Sequence, residues 1–575
     1  MARANDAVEA ALLEYADLLS IVSDDPYKAR AYEKAARAVG GYHADIEGMD
    51  LKAILQIPTV GKSIGEKVHE FLDTGAIAVL DELRAEVPSG VREMIAIPGL
   101  GPKKALILYR DLGIADVEGL RAAVDAGQLA ELKGFGARTE ENIRRGIERM
   151  TQASGRVLAS VAMDLAEFLR ERLGERTDVR RIEYAGSLRR MVETVGDLDL
   201  LVASDDPVAV MEAFTGLGMV ERILAKGEAK SSVLTRTGLQ VDLRVVPAEA
   251  WGAAMIYFTG SKAHNIRIRE MAVRKGLKLN EYGLFRAKSG RLIVAETEEQ
   301  VYDKLGLPWI PPTLREDRGE VEAALEGTLP DVLTGTQIRG DLHTHTKLTD
   351  GLATLDQMLE VASSHRYAYY AVTDHAPNLW MQRMTDEKML AQRVELRSLQ
   401  DRHPKMTLLH GTELNIDPEG NVDWEPEFLE GFDICVASVH SHFNQSKEEM
   451  TRRIVRAMEN PFVHVIGHPT GRKINQREPY DLDLDEVFAA AARTGTALEV
   501  NGYPDRLDLK DEHILWARRH GVRFSVDTDS HATTHLEHMR YGVATAQRGW
   551  LTKDDVINAW PLSKLRRFLR KGRGT

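Results

Sequence analysis

Residues 184–202 read YAGSLRRMVETVGDLDLLV, and the first half of the chain is organised around them. An apolar strand runs into Gly186 and Ser187, and after a polar turn or short helix a second strand carries Asp197 and Asp199. Carboxylates two residues apart on a strand point to the same face and repel each other unless a divalent cation lies between them. Two such cations, about 3.5–4 Å apart, stabilise the attacking and leaving oxygens in phosphoryl transfer.

The residues around this Asp-x-Asp pair distinguish it from the solvated acidic pairs that are common on strands. Apolar residues flank both aspartates, and burying two unpaired carboxylates is unfavourable. A third carboxylate, Asp242, lies in the apolar run LQVDLRVV, where a neighbouring strand is expected. Gly186 lets backbone N–H groups approach a triphosphate, the Ser187 hydroxyl adds a donor, and Arg189 or Arg190 adds positive charge.

The segment GSLRRMVETVGDLDLL resembles the nucleotidyltransferase palm of family X DNA polymerases in its Gly-Ser, its paired arginines and its Gly-Asp-x-Asp, all at that family's spacing. The resemblance implies two Mg²⁺ or Mn²⁺ ions held by three catalytic aspartates, namely Asp197, Asp199 and Asp242. It also implies that the triphosphate of an incoming dNTP is bound by Gly186, Ser187 and Arg190.

Composition limits the class of protein. A chain of 575 residues is long enough for roughly four domains. The single cysteine, Cys435, excludes an internal disulfide and a Cys-x-x-Cys zinc site, and predicts a reducing cytoplasm. We find no apolar run of membrane-spanning length and no signal pattern, so we expect no membrane contact. The net charge of -13 argues against indiscriminate coating of nucleic acid, so DNA contacts should be local and directed at the backbone.

A glycine-centred unit recurs three times in the helical first quarter of the chain, as IPTVGKSIGEKV, IPGLGPKKALIL and LKGFGARTEENI. Each unit is a tight turn that opens a helix, and such a turn presents backbone N–H groups to phosphate without reading bases. Three copies favour DNA backbone binding over an ordinary helix connection and resemble helix-hairpin-helix motifs. The glycines expected to contact DNA are Gly61, Gly101 and Gly136. The first copy departs from the other two with Thr59 in place of glycine.

Residues 1–85 resemble the N-terminal domain of the same polymerases, which binds the 5′ phosphate of a gap and in some members is a lyase on 5′-deoxyribose phosphate. Lys67 falls where the lyase members keep their Schiff-base lysine. Such a lysine must be activated by burial or by neighbouring cations, and an exposed helix lysine is the alternative. We expect 5′-phosphate binding, with Lys67 as the candidate for lyase activity.

A block YFTGS at residues 257–261 and a block LNEYG at residues 279–283 follow the palm. They could be an aromatic core corner followed by a basic helix, but in order and spacing they resemble the polymerase thumb. The resemblance implies that the aromatic pair lies along the sugar of the incoming nucleotide and discriminates against a 2′-OH. The residues expected to bind the nucleotide are Tyr257, Phe258, Gly260 and Asn265. Arg269 is expected to contact the template.

Histidine is unevenly distributed, since 15 of the 18 histidines follow residue 336. Clusters of His, Asp and Glu follow short β-branched or apolar runs, with helical stretches between them, which predicts a parallel barrel with ligands converging at the strand ends. Imidazole and carboxylate without thiolate suit Zn²⁺, Mn²⁺ or Fe²⁺, and a cluster this large can hold two or three ions. Such ions lower the pKa of bound water and offset charge on a phosphoester.

Residues 337–575 resemble the polymerase and histidinol phosphatase (PHP) family in the order of these clusters. The resemblance implies nine ligands, namely His343, His345, Asp350, His375, Glu413, His440, His468, Asp529 and His531. In bacterial family X enzymes this domain is associated with 3′-to-5′ exonuclease activity and with cleavage at abasic or 3′-blocked ends. Arg472 is a candidate phosphate contact, with a surface arginine as the alternative. The histidines read as surface or satisfied core residues are His365, His403, His513, His520, His535 and His538.

The implied fold is multidomain, with α-helical N-terminal helix-hairpin-helix domains, an α+β nucleotidyltransferase palm and thumb, and a distorted (β/α)7 PHP barrel. The segments are 1–85 for 5′-phosphate binding, 86–153 for the further hairpins, 154–247 for the palm, 248–317 for the thumb, 318–336 for a linker and 337–575 for the PHP domain. This predicts a cytoplasmic, monomeric DNA polymerase that fills short gaps in base excision or end repair, on gapped or nicked DNA with a 5′ phosphate, joined to a 3′-to-5′ exonuclease. Two alternatives are a nucleotidyltransferase for another acceptor with a small-molecule phosphatase, and a repair scaffold with structural metals.

Overall fold

The computed structural model describes residues 4–22, 26–40, 44–87, 102–132, 156–379 and 384–571, together with residue 42 and scattered positions between 91 and 147. Within this part of the chain no helix is both long enough and apolar enough to cross a bilayer. Two of the glycines predicted to contact DNA, Gly101 and Gly136, lie outside the described residues.

The N-terminal region is helical, as predicted, and its helices share one hydrophobic core. The helices are α1 Ala4–Val22, α2 Pro26–Gly40, α3 Leu51–Ile54, α4 Lys62–Thr74, α5 Ala78–Glu86, α6 Pro102–Leu112 and α7 Val117–Asp125. Leu12 in α1, Val68 in α4 and Leu108 in α6 are fully buried in the same apolar cluster. The core therefore continues across the predicted boundary at residue 85.

The palm is a five-stranded sheet with the strand order β2-β4-β7-β6-β5. All residues of this sheet are described, and within it β4 and β7 are the only neighbouring strands that run parallel. Its elements are β1 Val157–Leu158, α8 Ala159–Arg176, β2 Arg181–Tyr184, α9 Gly186–Arg189, β3 Thr194–Val195, β4 Asp197–Ala203, α10 Pro207–Thr215, β5 Val220–Lys226, β6 Lys230–Thr235 and β7 Gln240–Val246. One face of α8 buries Ala162, Ala166, Leu169 and Leu173, and this apolar stripe at helical spacing packs on the sheet.

The thumb packs two helices against a small antiparallel sheet. Its elements are α11 Trp251–Thr259, α12 Lys262–Arg274, β8 Leu277–Asn280, β9 Gly283–Arg286, β10 Leu292–Val294, α13 Glu298–Leu305 and α14 Glu320–Glu326. The segment expected to be a linker, residues 318–336, is packed rather than extended. Val321, Ala324 and Val332 are buried in the thumb core, so this segment extends the thumb.

The C-terminal module is a nearly closed parallel barrel. In its described residues seven strands pair in sequential order. A β-bridge between Thr344, which follows the first strand, and Ser530, which follows the last, brings the two edges of the sheet together. Its strands are β11 Gly340–Asp341, β12 Tyr369–Val372, β13 Thr407–Asn415, β14 Ile434–Ser438, β15 Val465–Ile466, β16 Ala497–Asn501 and β17 Phe524–Asp527. Its helices are α15 Leu355–Ser364, α16 Asp386–Leu399, α17 Pro426–Leu429, α18 Lys447–Glu459, α19 Leu484–Thr494, α20 Asp511–Arg519, α21 Met539–Arg548 and α22 Leu562–Phe568.

Side chains from the strands and from the C-terminal helix fill one end of the barrel. Leu342, Ala371 and Val436 pack there with Trp560 and Leu565 in a single buried cluster. The carboxyl ends of the strands lie at the opposite end, which is where parallel barrels place their ligands.

Two candidate metal centres

The first centre lies on the two parallel strands of the palm. In their register Asp199 is opposite Asp242, and Asp197 is opposite Gln240. Because side chains alternate along a strand, the three aspartates share one face of the sheet. Asp242 already has partners there, since Gln240 Nε2 donates to its Oδ1 at 2.8 Å and Lys230 Nζ lies 3.4 Å from its Oδ2.

The electrostatics of Asp199 and Asp242 differ. Burial, followed by the negative charges of Asp197 and Asp242, raises the pKa of Asp199 to about 6. Burial also opposes ionisation of Asp242, but hydrogen bonds from Gln240 and Ser232 and the charge of Lys230 lower its pKa. A carboxyl whose pKa is raised by like charges is one that a divalent cation would stabilise.

Asp199 lies so close to residue 186 that only glycine fits there. The glycine has a φ of 59°, in the left-handed region, and a Cβ at this position would lie 2.4 Å from Asp199 Oδ2. Only glycine therefore allows the start of α9 to lie against the aspartate strand. Ser187 is half-buried, and its carbonyl accepts a hydrogen bond from Val192 at 3.1 Å, which closes the turn after α9.

The paired arginines are both held by the thumb. Arg189 forms a two-point ion pair with Glu298, with both N–O distances 2.8 Å. Arg190 donates through Nε to Glu316 at 3.0 Å and through Nη1 to the carbonyl of Thr259 at 2.6 Å. The sequence pattern did not indicate these acidic partners, which lie more than a hundred residues further along the chain.

The residues predicted to bind the nucleotide gather at one corner of the palm and thumb. Tyr257 and Phe258 are in edge-to-face contact with ring centroids 4.9 Å apart, and Asn265 Nδ2 donates to the Tyr257 carbonyl at 2.7 Å. The Arg269 guanidinium lies 5.2 Å from the Tyr257 ring centroid, a cation–π contact. Gly260 adjoins this corner, because a Cβ there would lie 3.3 Å from Arg190 Nη1.

The sequence patterns did not predict one further basic residue at this corner. Arg244 follows Asp242 by two residues on β7, and its guanidinium lies 4.7 Å from the Phe258 ring centroid. Because side chains alternate along a strand, Arg244 lies on the same face as the aspartates, and this two-residue spacing is the sequence feature that could have predicted it.

The second centre is a cage at the carboxyl ends of the barrel strands, with Glu413 at its middle. Glu413 Oε2 lies 3.0 Å from His375 Nδ1 and 3.4 Å from His343 Nε2. Its Oε1 lies 3.1 Å from both His440 Nε2 and His468 Nε2. Burial opposes ionisation of Glu413, but His440, His375 and His343 hold its pKa well below the usual value.

All nine predicted ligands meet in this cage. Eight of them form three overlapping groups whose ligand atoms lie within 4.8 Å of one another, namely His345, Asp350, His375 and His531; His343, His345 and Asp529; and His375, Glu413 and His440. The ninth, His468, joins through Glu413. Shared members connect the groups, which is the arrangement expected for neighbouring ions rather than for one isolated ion.

The histidine rings are oriented by partners on the side away from the cage. His343 Nδ1 donates to Glu499 Oε1 at 2.7 Å, and His440 Nδ1 donates to Asn415 Oδ1 at 2.7 Å. Such contacts fix the ring so that the other nitrogen faces a metal. The inward nitrogen of His343, Nε2, is buried and has no hydrogen-bond partner among the described residues. This orphaned nitrogen fits a metal ligand.

Arg472, the predicted phosphate contact, does not face the cage. It is buried, and its Nη2 donates to Glu193 of the palm at 2.8 Å and to the carbonyl of Leu507 at 2.5 Å. Arg506 is the arginine at the cage, with Nε 3.6 Å from Asp529 Oδ2 and a buried Nη1 that lacks a hydrogen-bond partner among the described residues. The sequence reasoning missed Arg506 and also missed Glu499, which orients His343.

The six histidines interpreted as surface or core residues lie outside the three ligand groups of the described chain. His535 is in contact with the cage, because its Nδ1 accepts the backbone N–H of His531 at 3.2 Å.

The candidate lyase residue lies in the N-terminal domain at an aromatic corner. Lys67 Nζ donates to the carbonyl of Ser63 at 3.2 Å and lies 5.9 Å and 5.7 Å from the ring centroids of Tyr15 and Tyr32. The two rings contact each other edge to face, with centroids 4.6 Å apart. Lys67 is half-buried, so its ammonium is open to a ligand from one side.

A palm and thumb with three aspartates, followed by a histidine-lined parallel barrel, define a class of two-centre metalloproteins that act on phosphate esters. Family profiles agree with this class along the chain. The profiles match a helix-hairpin-helix domain at residues 3–77, a SAM-like helix-hairpin-helix tandem at 91–149, a DNA polymerase beta thumb at 254–316 and a PHP domain at 341–502.

Similar proteins cover the chain from end to end. It is 34% identical over 96% of its length to the DNA polymerase/3'-5' exonuclease PolX of Bacillus subtilis (strain 168), covering 97% of that protein. About half of the chain, 51%, is 27% identical to 53% of DNA polymerase lambda of Rattus norvegicus. A 40% portion is 28% identical to 94% of a probable phosphatase of Thermoanaerobacter sp. (strain X514). The chain belongs to the bacterial family X DNA polymerases, with a polymerase beta-like core and a C-terminal PHP domain.

Proposed function

We propose that the chain is a DNA-directed DNA polymerase that fills short gaps during DNA repair and that its PHP barrel is a metal-dependent 3′-to-5′ exonuclease. The observation that carries the proposal is that both centres are complete in one chain, with the aspartates in register on β4 and β7 and all nine ligands of the cage gathered around Glu413. Similarity along nearly the whole chain to a protein named as both polymerase and exonuclease supports it.

In the palm, Asp197, Asp199 and Asp242 are the residues that hold two Mg²⁺ or Mn²⁺ ions. Such ions, when bound, supply neutralising charge for the triphosphate and for the oxygens that attack and leave. Asp242 assists deprotonation of the primer 3′-hydroxyl, whose oxygen then attacks the α-phosphate and displaces pyrophosphate. Gly186 and Ser187 donate to the triphosphate, because α9 begins at this point and its first N–H groups lack partners within the helix.

In the thumb, the contacts described above support a proposed task for each predicted residue. Tyr257 and Phe258 form an angled aromatic corner for the sugar, and their edge-to-face packing limits the room for a 2′-OH. Asn265 is held by the carbonyl of Tyr257 and can exchange that bond for a base edge. Arg269 and Arg244 flank the aromatic pair and supply positive charge for the template and the triphosphate.

The N-terminal domain binds the gapped or nicked DNA. Gly61 precedes α4 with an ordinary φ of -76°, and a Cβ there would meet no atom within 4 Å. The fold itself therefore does not require glycine at this position, whereas the close approach of a DNA phosphate to the start of α4 does. Lys67 of the same domain contacts the 5′ phosphate.

In the barrel, the nine cage residues hold two or three Zn²⁺, Mn²⁺ or Fe²⁺ ions. Such ions, when bound, supply an activated water and offset charge on the phosphodiester. Glu499 and Asn415 keep the rings of His343 and His440 turned inward. Arg506 holds the phosphate beside Asp529, through the buried Nη1 that has no hydrogen-bond partner in the described part of the chain. The single, buried Cys435 is consistent with a cytoplasmic location, and we expect a monomer.

A second function for the barrel is supported by its similarity to a probable phosphatase over 40% of the chain. In that case the cage would hydrolyse small phosphomonoesters rather than shorten DNA. The cage chemistry serves both reactions, because each displaces an alkoxide from phosphorus.

A single set of assays separates these possibilities. The full chain is given a gapped duplex with a 5′ phosphate, dNTPs and Mn²⁺, a recessed 3′ end without dNTPs, and a small phosphomonoester. Asp197→Ala combined with Asp199→Ala should abolish incorporation and leave 3′-end shortening intact, and His343→Ala should do the reverse. Incorporation that survives the double aspartate variant would refute the palm assignment. Hydrolysis of the phosphomonoester without shortening of DNA would favour the phosphatase.

A further inference from the structure

The barrel holds the loop that joins the two halves of the polymerase site. We call residues 190–193 the connecting loop, because they follow α9 and lead through the short strand β3 to the aspartate strand β4. At one end Arg548 Nη1 donates to the backbone carbonyl of Arg190 at 2.8 Å. At the other end Arg472 Nη2 donates to Glu193 Oε2 at 2.8 Å. Both arginines belong to the barrel, so the loop is attached to it at both ends.

Apolar packing secures the middle of the connecting loop. Met191 has a φ of 54° and packs against a small cluster from the barrel. The barrel members of this cluster are Ile474, Leu507 and Tyr541. The left-handed conformation closes the end of α9, where the N–H groups of Met191 and Val192 donate to the carbonyls of Leu188 and Ser187. The barrel residues pack on the side chain that this turn presents.

The same barrel arginine also holds the counter-ion of Arg190. Arg548 Nη1 donates to Glu316 Oε1 at 2.8 Å, and that oxygen also accepts Arg190 Nε at 3.0 Å. The other side of Arg548 donates through Nε to Asp511 at 2.9 Å. Its side chain is only 7% exposed, so these charges depend on one another for compensation.

We propose that Arg548 and Arg472 are positioning residues for the polymerase reaction, although they lie in the barrel. The inference rests on the proposed polymerase function. The Arg190 carbonyl lies at the carboxyl end of α9, where the last carbonyls of a helix lack partners and a cation is favourable. Arg548 therefore fixes the helix that carries Gly186 and Ser187 and, through Glu316, the guanidinium of Arg190.

Arg472 acts on the other end of the same loop. Glu193 precedes Asp197 by four residues, so a shift of Glu193 reaches the aspartate strand. Because the two arginines hold groups that contact the nucleotide before and during reaction, their loss should weaken nucleotide binding more than the chemical step.

The test uses the full chain and a matched control. Arg540 also joins the barrel to the palm, but its described hydrogen bonds go to Glu167 on α8 at 2.8 Å and to the Tyr541 hydroxyl at 2.7 Å rather than to the connecting loop. KM for dNTP and kcat are measured on a one-nucleotide gap for the wild type, Arg548→Met, Arg548→Lys, Arg472→Met and Arg540→Met. Shortening of a 3′ end and thermal unfolding are measured on the same proteins, to report on the barrel itself.

We expect Arg548→Met and Arg472→Met to raise KM for dNTP about tenfold, with kcat changed by less than about threefold. Arg548→Lys should recover part of the loss, because an ammonium keeps the charge but not the fork that reaches Asp511 and Glu316 together. Arg540→Met should match the wild type, and 3′-end shortening should be unchanged throughout. Should Arg548→Met fail to fold, Arg548→Lys and Arg472→Met decide the question.

Wild-type KM values in the loop variants, or an equal rise in Arg540→Met, would overturn the positioning role while leaving the polymerase function in place. A wild-type protein that incorporates no nucleotide would overturn the polymerase function, and this inference with it.

Discussion

Asp199 lies directly opposite Asp242 where two parallel strands of the palm pair, and the two carboxyls differ in their tendency to ionise. Asp242 is stabilised as an anion by Gln240 and Lys230, whereas Asp199 is half-buried beside like charges, and its pKa rises to about 6. The centre is therefore under electrostatic strain that a divalent cation would relieve.

This strain predicts that Asp199→Asn stabilises the protein in a chelator. The folded pKa of Asp199 lies above its unfolded value of 3.8, so the carboxyl does not oppose folding at low pH, and its unfavourable contribution develops as pH rises from about 4 to about 6. At pH 7 the contribution is on the order of 2–3 kcal/mol. We expect Asp199→Asn to recover at least half of it, measured by hydrogen exchange in β4 and β7.

Added Mg²⁺ should protect β4 and β7 in the wild type and much less in Asp199→Asn. Asp303→Asn removes an exposed acid of the thumb and serves as the control, with no effect on either measurement. An Asp199→Asn protein that is less protected than the wild type at pH 7 in chelator would contradict the account.

The positions of the two barrel arginines predict opposite phenotypes. Arg506 faces the cage and Arg472 faces the palm. Arg506→Met should lower kcat/KM for 3′-end shortening about a hundredfold, because it removes a charged donor to the phosphate. Arg472→Met should keep that activity, so each variant controls for the other. Equal losses in the two variants would mean that neither arginine contacts the phosphate specifically.

The ligand set of the cage could be predicted from sequence because of how a parallel barrel is built. Successive strands bring their carboxyl ends to one rim, so His375 and Glu413 pair as neighbours although 38 residues separate them. Ligand-type residues at strand ends must therefore converge, whatever the helices between them contain. The palm followed the same logic, since alternation along β4 and β7 is enough to bring three aspartates to one face.

The partners of the arginines could not be predicted in this way. Arg472 and Glu193 are 279 residues apart, and Arg548 and Arg190 are 358 apart. Local periodicity predicts strands and helices but does not determine which module packs on which, and these contacts exist only through that packing. For the same reason the sequence predicts a linker at residues 318–336. Its acidic surface was visible, but its burial through Val321 and Val332 depends on the thumb.

Thr59 gives a prediction about the stability of the first hairpin. Its φ of 65° is in the left-handed region, where a β-branched residue is strained, and the other two hairpins have glycine at this place in their sequence. Thr59→Gly should raise the free energy of unfolding of the N-terminal region by about 1 kcal/mol. Thr59→Ala retains a Cβ and should gain little. Both variants are measured by denaturant unfolding of the full chain, with hydrogen exchange in α4 as the probe. An equal gain in the free energy of unfolding for Thr59→Gly and Thr59→Ala would contradict the backbone explanation.

Lys67 gives the last prediction, which concerns how the N-terminal domain uses a lysine. Its ammonium lies over the rings of Tyr15 and Tyr32 and is open on one side, an arrangement suited to a persistent positive charge. We therefore expect Lys67 to bind the 5′ phosphate of a gap. Lys67→Ala should reduce the preference for a 5′-phosphate gap over a 5′-hydroxyl gap about tenfold, whereas Lys67→Arg keeps the charge and should retain most of it. Borohydride reduction with 5′-deoxyribose phosphate DNA tests the lyase alternative, because a covalent adduct that forms with the wild type and disappears in both variants would assign Schiff-base chemistry to this lysine.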